Sequence, residues 1–74
     1  MGFSPVERAA LVDLLENGDN VPSNIARSTD THKKSVNRCL INLADRDLVS
    51  NKGAGVYKLT PTGREVAQLL ADSE

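Results

Sequence analysis

The chain has 74 residues, a formal net charge of −1 and a hydrophobic fraction of 39%, the size and balance of one globular domain with a thin core rather than of a disordered tail. One cysteine and one histidine exclude an internal disulfide and a Cys/His metal cluster, and no apolar run approaches the roughly 20 residues of a membrane span. Tryptophan is absent and Phe3 and Tyr57 are the only aromatics, which argues against a stacking platform for single-stranded nucleic acid.

The opening "MGFSPVE" holds a helix start. Ser4 is a good N-cap, Pro5 suits the first helical position, and Glu7 completes a capping box. Val6, Ala9, Ala10, Leu11 and Leu14 recur at helical spacing, and Gly18 can end the helix before the turn "NGDN". The same opening lacks the marks of a secretion signal or a myristoylation site, so the expected location is the cytoplasm. Val21 precedes Pro22 and is therefore extended, a short strand at most. "PSNIARSTD" predicts a short second helix with Ile25 and Ala26 inward and a break over Ser28–Asp30. Asp30 or Thr31 would cap the next helix, so two helices meet across a turn of three or four residues.

The third helix is expected over residues 32–46. At ~100° per residue, Val36, Leu40 and Leu43 line one side, with Cys39 and Ala44 on its flanks. Thr31, Lys34, Arg38 and Ile41 fall on the far side, Ser35 and Asn37 on the edges, and Lys33 in the first turn. Leu48 and Val49 then enter a strand, "NKGAG" is a hairpin turn, and Val56–Leu59 returns with Tyr57 and Leu59 on the inner face. Thr60 and Pro61 start a last helix whose apolar stripe is expected at Val66, Leu69 and Leu70. The fold class is α+β, mostly α: three helices, a short β-hairpin and a closing helix, in one domain over 1–74.

Charge is unevenly spread. Between Arg27 and Lys58 lie seven basic and three acidic side chains, a local balance of +4, whereas the rest of the chain carries two basic and seven acidic, or −5. A basic middle between acidic ends suits a one-sided surface for a polyanion; an ordinary solvated face is the alternative.

At this point the run "IARSTDTHKKSVNRCLINLADRDLVSNKGAGVYKLTPTGREVA" resembles the winged helix-turn-helix domains of MarR-type regulators, and especially small archaeal repressors of the kind found in a halophilic phage. The likeness runs from about Val21 to Leu70. Its most specific parts are "SVNRCLINLADRDLV", matching a recognition helix running into a strand, and "YKLTPTGREVA", matching the wing's return strand and closing helix. Thr29 stands where that family often has glycine in the helix–helix turn, and Asp47 where glycine ends the recognition helix. The resemblance implies a sequence-specific, double-stranded DNA-binding transcriptional regulator, a repressor, with helix 32–46 in the major groove and the wing 49–59 on the backbone or minor groove. In that reading Lys33, Lys34 and Arg38 meet phosphates or guanine, Asn37 pairs with adenine, and Thr31 and Ser35 serve either role. Lys52 and Lys58 bring the wing to the DNA. A homodimer is expected through the terminal helices, with Leu11, Val12 and Leu15 of the first and Val66, Leu69 and Leu70 of the last as candidates.

Two other readings compete. "KKSVNRCLINL" is similar to the recognition helix of Zα domains, which bind Z-form nucleic acid, through Lys33, Asn37 and Arg38; but Ile41 stands for that family's core tyrosine, Tyr57 for its wing tryptophan, and Ala54–Gly55 for its prolines. The other rival is a winged helix that binds protein, for which an exposed Ile41 counts. Nothing assembles a nucleophile, a base and oxyanion donors, so no enzyme is expected. Cofactor, metal and small-molecule ligand are not expected either: His32 has no ligand partners, and Cys39 reads as a small core residue.

Overall fold

The computed structural model describes residues 2–73. Its elements are α1 (Pro5–Asn17), α2 (Pro22–Thr29), α3 (Lys33–Asp45), β1 (Val49–Gly53), β2 (Val56–Leu59) and α4 (Pro61–Asp72).

α1 starts as its sequence dictates. The Glu7 N–H donates to Ser4 Oγ at 3.2 Å and the Ser4 N–H to Glu7 Oε1 at 2.9 Å, so two otherwise orphaned donors are satisfied reciprocally. Its inner face buries Ala10, Leu11 and Leu14. It also buries Asp13, whose Oδ1 accepts from Asn17 Nδ2 and from Ser28 Oγ, each at 2.7 Å, and so ties α1 to α2. The other oxygen, Oδ2, is buried without a partner among the described residues.

α2 and α3 end with the same device. Asp30 has φ 55 and Asp47 φ 62, and beyond each a backbone N–H reaches back to the helix: Thr31 to the Ala26 carbonyl (2.8 Å) and Leu48 to the Leu43 carbonyl (2.9 Å). Both are Schellman closures with aspartate in the left-handed position, which its short polar side chain tolerates. The residue that takes the family's glycine conformation in the helix–helix turn is therefore Asp30, not Thr29. The expected cap of α3 also shifts: the N-cap is His32, not Asp30 or Thr31, and it makes no side-chain hydrogen bond.

The hairpin pairs Val49 with Leu59, Ser50 with Lys58, Asn51 with Tyr57 and Gly53 with Val56, with a bulge between Asn51 and Gly53. The reversal is the pair Ala54–Gly55, both at positive φ (53° and 75°), as a tight turn matching the strand twist requires. Asn20, one residue before the expected Val21, pairs with Tyr57 from the other side: Asn20 N–H to the Tyr57 carbonyl at 3.0 Å and Tyr57 N–H to the Asn20 carbonyl at 2.8 Å. This bridge pins the hairpin to the α1–α2 connection.

α4 is capped by Thr60, whose Oγ accepts from the Gly63 N–H (2.9 Å) and donates to the Asp47 carbonyl (2.6 Å). Its buried positions are Gly63 and Ala67, with Val66 and Leu70 packed beside them. Leu69 lies outside this stripe, 71% exposed, contrary to expectation. Leu11, expected as spare interface on α1, is instead completely buried. With Ile25, Val36, Leu40 and Leu43 it makes the centre of the core, where each such side chain contributes roughly 1.5–3 kcal/mol through removal from water. The architecture is a winged helix-turn-helix: α2 and α3 form the turn pair, α1 and α4 close over them, and the hairpin stands beside α3.

Candidate nucleic-acid interface

Burial of Val36, Cys39, Leu40 and Leu43 fixes which way α3 faces. It turns Lys34, Arg38 and Ile41 outward on successive turns, all exposed, with Lys33 and Ser35 exposed in the first turn and Asn37 half-buried at the edge. Six of the eight candidate residues thus lie on or next to the start of this one helix. Thr31 is the exception in kind. It is half-buried, it donates to the Thr29 carbonyl and it lies 3.1 Å from Thr29 Oγ1, so its hydroxyl serves the turn first.

The first turn of α3 breaks two local rules. It has no acidic residue and no side-chain cap, while Lys33 and Lys34 put positive charge at the positive end of the helix dipole. Contrast α1, where Ser4 and Glu7 satisfy the same groups. Free backbone N–H groups, the dipole and two lysines together form a concentrated positive site suited to an anionic oxygen. At the other end of the same outer face Asp45 is exposed, so the positive potential is confined to the first two-thirds of the helix.

The hairpin supplies the other two candidates. Lys58 is exposed on β2. Lys52 falls at the bulge, the kind of position that re-aims a side chain, and it points back to the α1–α2 connection, where its Nζ donates to Asp19 Oδ2 at 2.7 Å. That hydrogen bond holds the Asp19 carboxyl below its ordinary value against an opposing cost of desolvation, and the charges of Lys52, Lys58 and Arg64 make smaller contributions in the same downward direction. By sequence Asp19 belongs to an acidic end remote from the basic middle; it sits instead at the wing. What the sequence does not show is the Asn20–Tyr57 bridge, which brings residue 19 beside residue 52.

The remaining singled-out residues take structural roles. Cys39 is buried, and burial, with a smaller contribution from the Glu7 charge, pushes its thiol up to about 11, so it stays protonated at neutral pH. Arg46 stacks over the Phe3 ring at 5.4 Å. Asp47 provides the left-handed residue that ends α3, and Tyr57 is half-buried against the core rather than displayed on the wing.

Residues 3–74 match the family model described as the HVO_A0261 N-terminal domain. No curated protein sequence matches the chain. Among solved structures, NMB1585, a MarR family regulator from Neisseria meningitidis, superposes with a TM-score of 0.87 at 22% identity over 96% of this chain and 54% of its own. ZitR of Lactococcus lactis superposes with a TM-score of 0.85 at 19% identity, over 97% of this chain and 51% of its own. The chain therefore spans about half the length of these regulators, and shares their fold. The same fold also matches 21% of the O-methyltransferase NcsB1 of neocarzinostatin biosynthesis, with a TM-score of 0.69 and 31% identity over 82% of this chain.

Proposed function

The chain belongs to the HVO_A0261 N-terminal domain family, and from that premise we propose that residues 1–74 form one DNA-binding domain of a transcriptional regulator that reads double-stranded DNA. The observation that carries the reading is the start of α3: an uncapped helix N-terminus bearing Lys33 and Lys34, followed by exposed Arg38, in the second helix of a helix-turn-helix. α3 enters the major groove by its first two-thirds. Lys33, Lys34 and Arg38 hold phosphates, Ser35 and Asn37 lie nearest the base edges, and Thr31 shapes the turn that presents them. Lys52 and Lys58 carry the wing to the backbone or the adjacent minor groove. A domain that acts by occupying DNA blocks what would otherwise bind there, which favours repression. The work is done in the cytoplasm, at the nucleoid, and needs no catalysis or cofactor. B-form DNA is favoured over Z-form because Tyr57 packs inward and leaves the wing without an exposed aromatic.

Selection from a pool of random duplexes tests the reading: the purified protein should recover one short motif, and failure to retain any duplex over single strands would end it. Asn37→Ala should then cost about 1–3 kcal/mol on the recovered site and relax a single base position. An unchanged motif would remove Asn37 from base reading. Asp19→Asn should release Lys52 from its ion pair, raise affinity and steepen the dependence of log affinity on log salt by about 0.9, the share of one phosphate contact. An unchanged slope would take Lys52 off the DNA.

One recognition helix spans too few base pairs to select a genomic site, so the proposal includes two-fold pairing, with half-sites one helical turn apart, roughly 34 Å. The surface for it is the outer side of α4 around exposed Leu69, not the buried Leu11. Leu69→Glu should turn a dimer into a monomer by sedimentation while leaving the far-UV circular dichroism spectrum unchanged; a monomeric wild type would contradict the pairing. A second reading, a winged helix that docks protein, draws support from the exposed large apolar side chains Ile41 and Leu69.

A further inference from the structure

The isoleucine on the outer face of α3 is exposed and has no assigned contact with a duplex. Ile41 is 56% exposed, and it stands in line with Lys34 and Arg38, two turns along from the former. Two turns of helix advance roughly 10.5 Å, about three base-pair steps of a duplex. A solvated face has no use for a branched apolar side chain there, since its burial is forgone and β-branching is no help to a helix. The residues around it are otherwise polar: Asn37 and Asn42 flank it, and Asp45 follows on the next turn. Asp45 repels phosphate, so a helix docked by its lysines must tilt that end away. Ile41 is then the last outward side chain to reach the groove floor.

Resting on the reading of α3 as the duplex-reading helix, we propose that Ile41 is a specificity residue that packs on the C5-methyl group of a pyrimidine in the major groove, that of thymine or of a methylated cytosine. The methyl is the apolar feature of the major-groove edge of an A·T pair, and it lies beside the O4 acceptor. Lys34 and Arg38 fix the helix on the backbone; Asn37, one turn before Ile41 and about 40° to its side, addresses a neighbouring adenine; Ile41 covers the methyl and excludes water from it. Cytosine, which shows an N4 donor and no methyl, offers it nothing.

The test removes the methyl and leaves base pairing untouched. On the duplex recovered by selection, thymines are replaced by uracil one at a time. Wild-type affinity should fall about fourfold at one position, the factor that burial of a single methyl group represents. Ile41→Ala should bind the thymine duplex more weakly by a similar factor and be indifferent to uracil at that position. Its exposure keeps the fold out of the comparison, and a circular dichroism melt checks this. If the contacted base is instead a cytosine, 5-methylation should strengthen wild-type binding and not that of the variant. Duplex binding in which neither uracil nor 5-methylcytosine changes affinity, or changes it equally for wild type and Ile41→Ala, overturns the inference alone. Absence of any duplex binding overturns the reading of α3, and this inference with it.

Discussion

Gly63→Ala will lower the stability of the domain by about 3 kcal/mol, the upper part of what overpacking costs. A Cβ at position 63 runs into the Leu48 carbonyl oxygen and would lie 2.7 Å from the Leu48 carbonyl carbon and 3.1 Å from its Cα. The obstacle is backbone, and it cannot step aside. The Leu48 N–H closes α3 on the Leu43 carbonyl at 2.9 Å, and the Leu48 carbonyl accepts from Thr60 N–H at 3.1 Å. Relief must therefore come from α4 rising off the junction, which loosens Ala67 and Leu70 on the core. For a chain of this length total stability is on the order of 4–11 kcal/mol, so the loss is a large share. Urea unfolding should show the midpoint falling with little change in slope. A loss below about 1 kcal/mol would mean that the first turn of α4 is not held against Leu48. The same junction sets the angle of the hairpin against α3, so duplex affinity should fall in the variant even where it remains folded.

The second large effect falls on binding. Lys34→Ala with Arg38→Ala removes two charges one turn apart on the outer stripe of α3. Both side chains are exposed and neither makes an ion pair among the described residues, so the fold should melt at nearly the wild-type temperature. Hydrogen bonds to charged groups are worth roughly 1.5–3 kcal/mol each, which puts the loss of affinity at a hundredfold or more at moderate salt. The salt slope should decline by about 1.8, two phosphate contacts at 0.9 each. Wild-type duplex affinity in the double variant would mean that α3 is not the contact surface.

Local chemistry made most of the fold legible in the sequence. Ser4, Pro5 and Glu7, and then Thr60 and Pro61, mark helix starts through bonds within four residues, and the structure contains those bonds. The inward face of α3 was equally plain, because Val36, Leu40 and Leu43 leave one solution for its phase. What escaped was set by tertiary approach. On α4 the large apolar residues point to Leu69, whereas the buried positions are the small Gly63 and Ala67. The stripe Gly63, Val66, Ala67 and Leu70 has the regular spacing, and it is smallest at Gly63 because the Leu48 backbone comes so close. Lys52 and Asp19 are 33 residues apart, and no local rule pairs them. Asp30, with Thr31 one of two residues whose side chains suit a cap for α3, instead ends α2 through its left-handed backbone conformation. Of the site, the positive stripe on α3 could be read from periodicity; the absence of a cap at its head required the structure.

The most direct measurement is the map of backbone amide shifts as duplex DNA carrying the selected motif is titrated into isotopically labelled protein. The largest changes are expected from Thr31 to Asn42, with a second set over Ser50–Lys58 and little along α4. Changes concentrated on α1 and α4, with the head of α3 unmoved, would contradict duplex reading by α3.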